Sequence, residues 1–112
     1  MTGLAQPGRL FLWRGAVDMR KSFDGLSGIV REGLAKDPLT GDWFIFLNRR
    51  RSLVKVLYWD RDGYALWSKR LERGRFTAPS GETPEIGRAE LALLLEGVQA
   101  KVVRRSPRWR SC

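Results

Sequence analysis

The sequence predicts an α+β fold: a small antiparallel sheet, made of a three-strand meander plus an N-terminal strand, packed with two helices. Three observations predict it. Between residues 43 and 71, three segments rich in aromatic and β-branched residues are separated by short turn-like links. From Phe23 to Leu34, and again at Leu91, Leu94 and Leu95, apolar residues recur at helical spacing. Finally, 43% hydrophobic residues in a chain of 112 are enough for one modest core, which argues against disorder throughout.

Residues 9–13, Arg-Leu-Phe-Leu-Trp, read as the first strand, broken by Gly15. Phe23, Leu26, Ile29, Val30 and Leu34 then mark one face of a helix over about 22–36. Ser22 suits its N-cap and Asp24 its first turn, and Pro38 stops it near Asp37. Gly25, Gly28 and Gly33 each weaken this helix by up to ~1 kcal/mol, so it must lean on tertiary packing. A turn at 39–42 leads to strands at 43–47, 53–59 and 64–71. The first of these is apolar on both faces and belongs in the middle of the sheet. Asp60-Arg61-Asp62-Gly63 is a hairpin turn, with Gly63 placed where φ > 0 is cheap. A short strand at 75–77, a loop at 79–87 and a helix at 88–96 follow, with Gly97 as the helix stop. The organisation expected is a flexible N-terminus (1–8), one domain (9–97) and a basic, disordered tail (98–112). No repeat is visible, no apolar run approaches the ~20 residues that span a membrane, and no secretory signal opens the chain, so the cytoplasm is expected.

The composition excludes several chemistries. There is no histidine, and the single cysteine is Cys112, which rules out Cys/His zinc sites, histidine-based triads and disulfides. Asp18, Asp24, Asp60 and Asp62 are possible magnesium ligands, but no third acid arrives at a nuclease-like spacing, and aspartate in turns serves its backbone. No catalytic residue, metal or cofactor is therefore assigned, and the protein is expected not to be an enzyme. The charge points elsewhere. The net charge is +9, and 16 of the 21 basic residues are arginine, whose planar fork matches phosphate.

Successive antiparallel strands reverse direction, so the loop at 48–52 and the end of strand 64–71 meet at one end of the sheet. That end carries Arg49, Arg50 and Arg51 beside Lys69, Arg70, Arg73 and Arg75, opposed only by Glu72, while Asp60 and Asp62 sit at the other end. Arg20 and Lys21 form a second candidate: cations before a helix N-terminus oppose its dipole unless an anion sits there, supplied by Asp18 and Asp24 or by a phosphate. The segment from Lys101 to Arg110 adds five positive charges and Trp109.

The stretch Val17-Asp18-Met19-Arg20-Lys21-Ser22-Phe23-Asp24-Gly25-Leu26 resembles the opening motif of the TnpB-type accessory proteins of the IS-sixty-six group, encoded by the second reading frame of the element. The resemblance runs through Asp37-Pro38, Gly41, Arg49-Arg50-Arg51 and Lys55-Val56-Leu57-Tyr58-Trp59-Asp60 to Lys69-Arg70-Leu71-Glu72-Arg73-Gly74-Arg75-Phe76, and closes over Leu91 to Gly97. It implies a role in transposition beside a larger DDE-type transposase and brings no catalytic residues with it. The RNA-guided nuclease of the same label is a larger, unrelated protein. Two departures stand out: Ile86-Gly87 replaces the usual Leu-Thr pair before the second helix, and the residues after Gly97 are atypical. The expected function is a DNA-binding accessory module of transposition that contacts element ends through its arginine-rich sheet end and cooperates with the transposase. A pure protein-interaction subunit and an RNA-binding module are the alternatives. Neither the oligomeric state nor the DNA sequence recognised follows from the residues.

Overall fold

A computed structural model describes residues 7–97, so the expected tail at 98–112 lies outside the described residues. The strands are β1 (Leu10–Ala16), β2 (Trp43–Leu47), β3 (Leu53–Trp59), β4 (Tyr64–Arg70) and β5 (Glu85–Ile86); the helices are α1 (Phe23–Gly28), continued by a π-helical turn (Ile29–Gly33), and α2 (Arg88–Glu96). They form one sheet in the order β4-β3-β2-β1-β5. β2, the middle strand, is buried at all five positions, as its two-sided apolar pattern requires.

The meander is antiparallel in register, with Phe44 opposite Leu57 and Val56 opposite Trp67. The exception to antiparallel pairing is β1, which runs parallel to β2 with Phe11 opposite Phe44. A parallel pair needs a long crossover rather than a hairpin, and the segment carrying α1 supplies it. The Phe11 and Phe44 rings stack across this pair at 5.6 Å between centroids.

Alternation along the strands sends side chains to two cores, each closed by a helix. On one face, Phe11, Phe44, Phe46 and Leu57 pack with Leu26 and Val30 of the first helical segment. On the other, Leu12, Ile45, Val54 and Val56 pack with Phe76 and with Leu91 and Leu94 of α2. The covered sheet thus separates two apolar layers, and it is the ends of the strands that remain open.

Four local expectations are corrected. The first helix ends at Gly33, before the stop expected near Asp37: its last turn is π-helical, Ala35 adopts φ 55°, and the Lys36 N–H reaches back to the Val30 carbonyl. Gly33 is required there because a Cβ would stand 2.8 Å from the Trp13 ring. Ser22 stands at the N-cap, but its hydroxyl makes no capping bond. In the β3–β4 turn the left-handed residue is Arg61 (φ 61°), not Gly63, and Trp59 Nε1 donates to the Arg61 carbonyl. Finally, no strand forms at 75–77. Phe76 instead anchors that segment by its buried ring, and the extra strand is β5, where Leu10 pairs with Ile86 inside the expected loop. Bidentate hydrogen bonds from Arg9 to Glu85 hold this edge, and through them each charge favours the ionised form of the other. Helix α2 has the expected bounds. The Glu90 carboxylate accepts from the Gly87 N–H at 2.7 Å, which is the part of a capping box open to a glycine N-cap.

Candidate nucleic-acid interface

The end of the sheet where β2 passes into β3 is built around Asn48. Its Oδ1 accepts from the backbone N–H groups of Ser52 and Leu53 at 2.9 and 3.1 Å, and its Nδ2 donates to Ser52 Oγ at 3.1 Å. This Asx arrangement closes the turn and pushes the intervening arginines outward. Arg49 and Arg50 are exposed, and Arg51 takes φ 59°.

The second arginine cluster is stitched to the first by the backbone. Leu53 pairs with Arg70, the Leu71 N–H donates to the Ser52 carbonyl, and the Phe76 N–H donates to the Arg51 carbonyl, both at 2.8 Å. Residues 70–76 therefore fold against the 48–52 turn, and Arg49, Arg50, Arg51, Arg70, Arg73 and Arg75 share one end of the molecule. Because β1 is parallel to β2, its C-terminal residues reach that same end, and the Val17 N–H bonds the Leu47 carbonyl. Asp60 and Asp62 lie in the turn at the far end of the meander.

The cations differ in how they are employed. Among the described residues, the side chains of Arg49, Arg50, Arg51, Arg75 and Lys21 make no hydrogen bond or ion pair. Arg70 faces Glu72 at 3.8 Å across two exposed side chains, a contact worth little in water, while Arg73 is already engaged. Lys69 donates to the Leu95 carbonyl at 3.0 Å, a cation set against the C-terminal end of α2. Arg20 grips Asp18 with two nitrogens, its Nη2 2.7 Å from Oδ2. These side-chain bonds, with the Arg20 N–H, hold the Asp18 carboxyl well below the usual carboxylate range. Asp18 is thus the internal partner of Arg20. The segment around this pair is fastened from beneath by Lys55, whose Nζ donates to the Met19 and Lys21 carbonyls at 2.8 and 3.0 Å.

A cleft of about 370 Å³ opens at the same end, between the close of β1, the 48–51 turn and the loop at 78–82. Arg14 supports it by donating to the carbonyls of Pro79 at 2.6 Å and Thr83 at 3.0 and 3.1 Å. Sequence reasoning missed Asn48, Arg14 and this cleft. An asparagine opening a turn was a readable signal, whereas the partners of Arg14 are 65 and 69 residues away along the chain. Among the described residues, no group of three or more metal-ligating side chains is assembled, and no helix is long and apolar enough to cross a membrane.

The fold and this end define a small basic α+β module with an arginine-covered pole. The family model for the IS66 Orf2 like protein matches residues 8–105. The chain belongs to that family, and is thereby an accessory protein of IS66-type transposition. The resemblance read from the sequence closes at Gly97, and the family match continues eight residues further. Two proteins of Sinorhizobium fredii (strain NBRC 101917 / NGR234) are similar, both titled uncharacterized. One, y4hO, is 42% identical over 92 residues, covering 80% of each chain. The other, y4jC, is 32% identical over 109 residues, covering 96% of this chain and 93% of its own. No solved structure matches the chain.

Proposed function

We propose that this accessory protein is non-enzymatic and binds DNA, at the ends of its element, through the arginine-rich pole, while cooperating with the larger transposase in the cytoplasm. The observation that carries the reading is the convergence of two clusters separated in sequence. Arg49, Arg50 and the half-buried Arg51 meet the exposed Arg75 and Arg70 on one pole and, apart from the loose Arg70–Glu72 contact, have no acidic partners among the described residues. Exposed like charges gathered without counter-ions cost folding energy, and a phosphate backbone removes that cost. A turn tip of this width can straddle the backbone or enter a groove. Lys69 and Arg20, both engaged within the chain, are secondary contributors, and Lys21 lies beside Arg20.

The test is a salt titration of binding by the full chain to element-end duplex, random duplex and RNA of equal length. The reading expects a steep log–log slope on duplex and tighter binding to element ends, strengthened when transposase is added. Flat, salt-insensitive binding to DNA, together with capture by the transposase alone, would transfer the function to protein interaction. Preference for RNA over both duplexes would make it an RNA-binding module.

A further inference from the structure

The cleft beside the arginine pole exists because β1 is bulged. Leu12 pairs with Ile45 and Ala16 with Leu47, so residues 13–15 stand opposite Phe46 alone. Extra residues on one strand bend it away from its partner, and such bulges recur beside functional sites. Here the bend opens the end of the sheet. The Trp13 indole lies with its N–H edge against Gly15, where a Cβ would stand 3.1 Å from Nε1.

The lining is specific in its chemistry. Arg49 and Arg51 bring guanidinium groups without side-chain partners to one rim, and Glu82, an exposed carboxylate without a side-chain partner among the described residues, lies on the other. A volume of about 370 Å³ is at the small end of ligand sites, suited to one nucleotide and far too small for a duplex. A carboxylate on the rim repels phosphate, so the groove is not simply a second phosphate track. It is an acceptor for the exocyclic amine of a base, as carboxylates are for cytosine N4. The two arginines are placed to hold the flanking phosphates.

We propose that the cleft takes one unpaired nucleotide of the DNA held by the pole, so that the protein reads duplex ends and junctions in preference to uninterrupted duplex. The proposal rests on the DNA-binding reading and deepens it. The test compares binding by the full chain to a blunt duplex with binding to the same duplex carrying a three-nucleotide single-stranded extension. A 2-aminopurine in the extension reports base burial. The extended duplex should bind roughly tenfold tighter, the gain expected from housing about one base, with a change in 2-aminopurine fluorescence. Ala16→Ile, a β-branched residue that a strand end accepts, should fill the cleft and abolish this preference while leaving blunt-duplex affinity and its salt slope in place. Glu82→Gln should strengthen blunt-duplex binding, because a negative charge is removed, and yet reduce the preference. That pair of opposite changes is not expected from a cleft that only holds phosphate. Equal binding of the two duplexes with a steep salt slope would overturn the cleft assignment and leave the DNA reading standing. Failure to bind either would remove both. Tighter binding when the extension is made of ribonucleotides would overturn the assignment to DNA.

Discussion

Replacing Arg49, Arg50 and Arg51 together with Ala should flatten the salt dependence of DNA binding without unfolding the protein. None of the three has a side-chain partner among the described residues, so each is available to a phosphate. A duplex phosphate contact contributes ~0.9 to the log–log slope, so the triple change should remove roughly 2–3 units. Across a fourfold rise in salt, from about 50 to about 200 mM, the variant should lose roughly 40-fold less affinity than the parent. The turn should persist, since Asn48 and Ser52 close it and Ala at φ 59° is no more strained than Arg. The companion triple of Arg70, Arg73 and Arg75 should remove less, about 1–2 units, because Arg70 faces Glu72 and Arg73 is already engaged. Lys69→Met should leave the slope nearly unchanged and weaken α2, whose terminal carbonyl it holds. Fluorescence anisotropy across a salt series, with circular dichroism to verify folding, measures all three. An unchanged slope in both arginine triples would show that the pole does not face nucleic acid, and the protein-interaction reading would replace it.

Three further outcomes follow from the packing. Gly33→Ala should destabilise the fold by about 1–2 kcal/mol in urea denaturation, because overpacking against Trp13 outweighs the ~1 kcal/mol that alanine contributes in a helix. Phe46→Ala, which empties a fully buried site on the central strand, should cost ~3–5 kcal/mol and lower the thermal midpoint sharply. Because Arg20 depresses the Asp18 carboxyl, the pair contributes stability above the ordinary carboxylate range, near pH ~4, and loses it as pH falls toward the lowered value. Arg20→Ala should raise the NMR-detected titration of Asp18 part of the way toward ~3.9, because the residue-20 N–H still donates to the carboxylate, and a midpoint that does not move would show that the Arg20 side chain is not the cause.

Much of the pole was legible before the structure, because hairpin geometry is a local rule. Once Trp43 to Arg70 is a meander, the strand reversal alone brings Arg50 and Arg73 to the same end. The employment of each cation was not legible. Lys69 and Arg70 are adjacent in sequence yet face opposite sides of β4, and only Lys69 meets the last turn of α2. The pairing of Arg20 with Asp18, two residues away, was readable as one of two options, and the structure selected it.

By itself the sequence determined the class of the fold, the meander, the bounds of α2 and the central place of β2. These depend on period, turn chemistry and runs of apolar residues, which act over a few neighbours. It also determined the absence of histidine chemistry and the excess of arginine. Tertiary structure decided what depends on residues far apart in the chain. A two-residue strand such as β5 has no period to read, and it exists because β1 offers an open edge. The parallel pairing of β1, the π-helical turn that lets Gly33 meet Trp13, and the bulge that opens the cleft arise where layers must fit together. Packing of that kind is a property of the assembled layers, and no local stretch of sequence contains it.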